Sequence, residues 1–161
     1  MYVTFLRHAT AEDRSLAGPD AERALTEKGE KQVKRVAAFC QANQLLPAAI
    51  YCSPLLRAQQ TSRILHEQLA ESPAPETADW LSTATSPQTI IAELGKLADQ
   101  GLDDVWLVGH EPDFSETIGQ LLNTAGNSIV VKKASLIRLD ADFSGAPNAT
   151  LLWSIPCSMM R

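Results

Sequence analysis

Two apolar runs of this chain each end in a histidine, YVTFLRH at residues 2–8 and DDVWLVGH at residues 103–110. Residues 2–6 are rich in β-branched and aromatic side chains, and the run is too short for a helix, so it predicts a first, central strand. Arg7 and His8 are bulky and polar. Neither can be sunk into a core without strong partners, so a buried strand ending in them points at a ligand beyond the core, and an anion fits both. The arrangement returns at Gly109 and His110.

Between these runs the pattern alternates. Thr26 can cap a helix whose apolar face reads Val33, Val36, Ala37 and Cys40, the helical spacing. AAIYCS at residues 48–53 predicts a second strand, and the following SPLLRAQQTSRILHEQLA predicts a helix with Ser53 as its cap and Pro54 in its first position. Residues 71–87 carry three prolines and predict a loop with at most a short edge strand. A third helix presents Ile90, Ile91, Leu94, Leu97 and Ala98. A fourth opens at Pro112 and buries Phe114, Ile118, Leu121 and Leu122. Two final strands, SLIRLDA and ATLLWSI, flank the turn SGAPN. The expectation is one α/β domain over residues 1–161, a three-layer α/β/α sandwich with a mostly parallel central sheet. Ligands of such sheets bind at the carboxyl ends of the strands. Arg7, His8 and His110 sit there, and Arg57, one turn into the helix after the second strand, is expected to point to the same edge.

The chain of 161 residues is 45% hydrophobic and 20% charged, enough for one core, and no tract suggests a second domain. A net charge of −5 speaks against a general nucleic-acid binder. No run of about 18 apolar residues and no signal-peptide pattern is found, so the expected setting is the cytoplasm, with no membrane partner. Cys40, Cys52 and Cys157 are widely spaced, and they predict neither a disulfide framework nor a zinc site but small apolar fillers.

Two histidines and two arginines at one rim have a direct chemical reading. The arginine fork binds phosphate oxygens bidentately, and a neutral imidazole is a nucleophile toward phosphorus. A helix N-terminus after each strand is expected to add N–H groups aimed at the same anion. Together these predict phosphoryl transfer through a covalent phosphohistidine, although each residue taken alone has a structural reading, as does His66. The histidines are too dispersed for a metal site, and no cofactor is expected. Other phosphoryl chemistries find less support. The pattern GxxxxGK is absent. Cys52 and Arg57 are one residue too close for a cysteine-phosphatase loop. Asp140 and Asp142 imitate an aspartate-nucleophile motif, but only 19 residues follow Asp142, so that segment predicts an edge strand running into a turn.

FLRHATAE, ALTEKGEKQ, YCSPLLRAQQT and WLVGHEPDFSE occur in an order that resembles the successive motifs of the histidine phosphatase superfamily, which includes the phosphoglycerate mutases. Within it the chain resembles the SixA-type phosphohistidine phosphatases. The resemblance implies a phosphoglycerate mutase-like fold, with His8 as the nucleophile and Arg7 and Arg57 holding the phosphoryl oxygens. His110 would hydrogen-bond the transferring group, and Glu111 would join Arg7 and Arg57 in binding substrate. The arginine charges would keep His8 neutral. Two departures stand out. Ala9 replaces the glycine of the common RHG signature, and the stretch DWLSTATSP holds no carboxylate after Asp79 where mutases and many phosphomonoesterases supply a glutamate acid. Glu111 and Asp113 are the carboxylates left to substitute.

The expected function is a metal-independent phosphohistidine phosphatase, a monomer acting on a histidine-phosphorylated signalling or phosphocarrier protein. A small-molecule phosphomonoesterase of the same fold and a non-catalytic phospho-ligand binding module are the rivals. Lys132 and Lys133, before the penultimate strand, either steer an acidic partner or solvate a loop, and the second is the expectation.

Overall fold

The computed structural model describes residues 1–14 and 18–161, and its centre is β1 (Tyr2–Arg7). The chain continues through α1 (Glu27–Ala42), β2 (Ala49–Cys52), α2 (Leu56–Gln68) and β3 (Glu76–Thr77). It then forms α3 (Pro87–Asp99), β4 (Asp104–Gly109), α4 (Asp113–Leu121), β5 (Leu136–Asp142) and β6 (Asn148–Ile155). The six strands make one sheet in the order β3-β2-β4-β1-β5-β6. β1, β2, β3 and β4 run parallel, and β5 and β6 are antiparallel additions. This is the three-layer sandwich that the alternating pattern predicts.

Period-2 alternation divides the core between the two faces of the sheet. Leu6, Ile50, Trp106 and Leu136 pack under α1 and α2, whereas Val3, Phe5, Leu107 and Ile137 pack under α3 and α4. Burial of apolar surface on both faces is what allows strands this short to hold together. Among the described residues, no helix is long and apolar enough to cross a membrane.

Two local expectations need correction. α2 begins at Leu56 with Leu55 as its N-cap residue, not at Pro54. Ser53 is therefore no helix cap, and its hydroxyl is spent elsewhere. β5 is not an edge strand: it lies between β1 and β6, and β6 forms the border.

The turn into α1 braces the loop that follows β1. Thr26 Oγ1 accepts from Gly29 N at 3.1 Å, the predicted cap, while Thr26 N donates to Thr10 O at 3.0 Å. Gln32 Oε1 accepts from Thr10 N at 2.9 Å. Gly29 lies directly against the Thr10 carbonyl, where a Cβ would overlap backbone that cannot move aside. Gly29→Ala is expected to cost about 3 kcal/mol through overpacking, read as a lower denaturant midpoint at unchanged slope. An unchanged midpoint would show that the loop yields freely.

Candidate active site

The parallel register of β1 with β4 sets Arg7 opposite Gly109, so His8 and His110 leave neighbouring strands at the same level. His8 N donates to Gly109 O at 3.0 Å, and the imidazole centroids lie 5.3 Å apart. Gly109 is required here because a Cβ would come within 2.7 Å of the Phe114 ring, which seats α4 edge-on against Phe5. On the other side of β4, β2 brings Ser53 to the same level, with Ser53 N on Val108 O.

His8 is 6% exposed. Its Nδ1 lies 2.8 Å from Ala9 O, which can only accept, so Nδ1 carries the proton and Nε2 keeps its lone pair. Ala9, fully buried, donates its own N–H to Thr61 Oγ1 at 3.1 Å and is thereby tied to α2. Arg57 Nε donates to His8 Nε2 at 3.2 Å. His8 is pushed down to about 4, chiefly by burial; the Ala9 carbonyl opposes the shift, and the charges of Arg57, Arg7 and Lys133 add to it. The expected arginine effect is present but secondary.

His110 lies in the same cavity, and its Nε2 is 2.7 Å from Ser53 Oγ. That hydroxyl already accepts from Leu55 N at 3.2 Å, and its own proton needs an acceptor, which His110 Nε2 provides. The proton of His110 therefore sits on Nδ1, a buried atom with no partner among the described residues. Arg7 Nε is likewise buried without a partner among them, although Arg7 Nη1 donates to Val131 O at 2.9 Å. Buried donors are rarely left unpaired. Two at one cavity mark the place of an acceptor supplied from outside the chain.

Arg57 is 3% exposed. Its Nη1 donates to Asp20 O at 2.9 Å and its Nη2 to Asp20 Oδ2 at 3.2 Å. With Nε on His8, this leaves one N–H on each terminal nitrogen for an anion. Burial raises the Asp20 carboxyl, but the charges and hydrogen bonds of Arg57, Arg14 and Arg23 outweigh this and hold it below its ordinary value. Nothing in the stretch GPDAER signalled Asp20 or Arg23, nor AEDR before it Arg14, because their roles depend on how residues 18–23 pack against α2. Lys133, expected to solvate a loop, lines the cavity.

The cavity measures about 820 Å³, and Arg7, His8, Arg57, His110, Glu111 and Lys133 lie on its wall. Glu111 Oε1 accepts from Ser115 N at 2.7 Å. This corrects one expectation: an N–H in the first turn of α4 is taken by the chain's own carboxylate, not held for a ligand. Asp113 is 5% exposed, and its Oδ2 accepts from Thr85 N at 3.1 Å. Burial raises both carboxyls; Ser115 and Arg7 oppose this at Glu111, and Thr85 at Asp113.

The other sequence candidates lie elsewhere. Asp140 pairs in register with Tyr2, at the opposite end of β1 from His8. Burial pushes the Cys52 thiol up and outweighs the opposing hydrogen bonds from Ser62, Gln59 and Thr77, which disfavours a thiolate nucleophile. All three cysteines are free and buried. His66 Nδ1 lies 3.1 Å from Ser72 Oγ. Among the described residues, no three His, Cys, Asp or Glu side chains form a group able to hold a metal.

The buried histidines make stability depend on pH. Unfolded imidazoles titrate near 6.5, but burial pushes His110, 2% exposed, down to about 3. As pH falls below about 6.5, the unfolded chain takes up protons that the native site refuses, and stability drops by up to about 1.4 kcal/mol per pH unit per histidine. Glu111 and Asp113 shift the opposite way but are common to wild type and variant. Between pH 7 and pH 5, His110→Gln should therefore lose about 2 kcal/mol less than wild type in denaturant unfolding. Equal losses would mean that His110 is already charged in the native state.

A family model described as the histidine phosphatase superfamily (branch 1) matches residues 3–81, a span containing His8 and Arg57. An uncharacterised protein of Picosynechococcus is 36% identical over 141 residues, covering 86% of this chain and 84% of the relative. The structure of the protein histidine phosphatase SixA complexed with tungstate superposes with a TM-score of 0.90 at 22% identity, covering all of both chains. Phosphoserine phosphatase of Entamoeba histolytica in complex with 3-phosphoglyceric acid gives a TM-score of 0.71 at 15% identity, covering 96% of each chain. At those identities the likenesses speak for the fold. Together with the matched motif region and the close relative, they establish that the chain belongs to the histidine phosphatase superfamily.

Proposed function

We propose that this chain is a phosphatase that passes a phosphoryl group from a protein phosphohistidine to His8 and then to water. The observation that carries this is the pair of unpartnered buried donors, Arg7 Nε and His110 Nδ1, at a cavity where His8 Nε2 keeps its lone pair. A phosphoryl group meets every requirement of that arrangement. Its oxygens accept from Arg7, Arg57 and His110, while its phosphorus faces the Nε2 lone pair. Attack forms the Nε2–P bond as the bond to the leaving group breaks, and the Arg57 Nε contact on Nε2 gives way to the phosphoryl oxygens. Water then attacks phosphorus, the P–Nε2 bond returns its electron pair to His8, and the water's proton leaves on the phosphate. The arginines supply the positive charge, so no metal has a step to perform.

Substrate preference follows from the leaving group. An alkoxide needs a proton donor, whereas a protonated phosphoimidazole departs as neutral imidazole. Asp113 is committed to the Thr85 backbone. Glu111 favours a second reading, that of a small-molecule phosphomonoesterase, because it lines the cavity and burial moves its carboxyl toward the proton-donating range.

Quenched turnover in the presence of a chelator should leave an acid-labile, base-stable label on the chain, absent from His8→Ala; a label persisting in that variant would exclude His8 as nucleophile. Arg57→Ala should lose about 2–4 kcal/mol of transition-state stabilisation. Preference for a phosphohistidine protein over an alkyl phosphate in kcat/KM is expected to be about 10²–10⁴-fold, the usual worth of a general acid. Comparable rates on both, with Glu111→Gln impairing only the alkyl phosphate, would decide for the phosphomonoesterase.

A further inference from the structure

The catalytic cavity adjoins a second hollow of about 430 Å³ across the side chains of Arg7 and Lys133, which line both. That hollow shares Lys28, Gln32, Cys157 and Ser158 with a third, of about 620 Å³, which reaches Arg35. The three form a trough running from the site along α1, whose Lys28-to-Arg35 stretch covers about 10 Å. Among the described residues, nine of the chain's 14 lysines and arginines line the trough, against four of its 19 acidic residues. On a protein of net charge −5, that is a concentration of one sign on one surface.

The charges along α1 are also available. Lys28, Arg35, Lys132 and Lys133 are exposed and form no ion pair among the described residues. Lys31 differs, being paired with Glu27 at 2.7 Å. A groove of unpaired cations leading out of an active site attracts an anionic surface and fixes its register. Among the described residues, no aromatic side chain other than His8 and His110 lines the trough, so it lacks the stacking platforms of a single-stranded nucleic-acid channel.

We propose that this trough docks an acidic face of the phosphorylated partner protein, lying beside its phosphohistidine. The proposal rests on the phosphohistidine reading and adds the chemistry by which the partner is recognised. An acidic strip held along α1 would present the phosphoimidazole to His8 and leave phosphohistidine proteins with neutral or basic surroundings as poor substrates.

The test uses phosphohistidine peptides flanked by glutamate, glutamine or lysine, together with free phosphohistidine. The enzyme is compared with a Lys28→Glu, Lys132→Glu, Arg35→Glu variant, whose changes lie outside the catalytic cavity. The wild type should favour the glutamate peptide over the glutamine peptide by about tenfold in kcat/KM, and the variant should reverse the order. Free phosphohistidine should be turned over equally by both. In the wild type alone, added salt should erase the glutamate advantage while leaving free phosphohistidine unaffected. Equal turnover of glutamate and glutamine peptides, or a preference that survives charge reversal, would overturn the proposal. Fluorescence anisotropy with the unphosphorylated glutamate peptide separates the two layers. Failure to hydrolyse any phosphohistidine substrate sinks the activity, whereas equal peptide affinity of wild type and variant sinks the trough. Tighter binding of an oligodeoxythymidine than of the glutamate peptide would assign the surface to nucleic acid instead.

Discussion

The parallel pairing of β1 with β4 is the constraint on which the site depends. Hydrogen bonding along that pair sets Arg7 beside Gly109, and so delivers His8 and His110 from separate segments to one level at the carboxyl edge of the sheet. A one-residue slip would turn every apolar side chain of β1 to the wrong face, so the burial of Val3, Phe5 and Leu6 enforces the register. Core packing and catalytic geometry are thus one constraint, with Gly109 as the point where α4 is allowed close enough to complete it.

Burial at this edge bears directly on the proposed chemistry. It keeps both imidazoles neutral, while a backbone carbonyl at His8 and a hydroxyl at His110 place the proton of each ring on Nδ1. Ala9 O holds the His8 proton on Nδ1, and Ser53 holds the His110 proton away from Nε2. The cost is two buried donors that find no partner among the described residues. Asp20 meanwhile holds two nitrogens of Arg57, which keeps a buried guanidinium in place before substrate arrives.

Around this centre the charge is distributed unevenly. The trough beside α1 gathers cations on an acidic protein, and Lys133 belongs both to it and to the site. On the proposed reading, a partner protein that presents a phosphohistidine has to be held in register, and a charged approach would do so without enclosing the cavity.

The α/β class, the central place of β1, the helix faces and the four residues Arg7, His8, Arg57 and His110 were legible in the sequence. Strand and helix periodicity are local signals, and polar residues at the end of an apolar run stand out wherever they occur. Contacts between distant segments carry no such mark. Ser53 looked like a helix cap because Ser-Pro before a helix usually is one; only the neighbouring β4 shows that its hydroxyl serves His110. Asp20 and Arg23 came from a loop with no periodicity, and Lys133 from what looked like a solvated turn. The sequence by itself determined the layers and the four polar residues that meet at one cavity, because these follow from near-neighbour patterns of burial. The tautomer of His110, the clasp on Arg57 and the continuity of the basic trough were decided only by the tertiary fold, because each depends on distances between segments that the chain order leaves free.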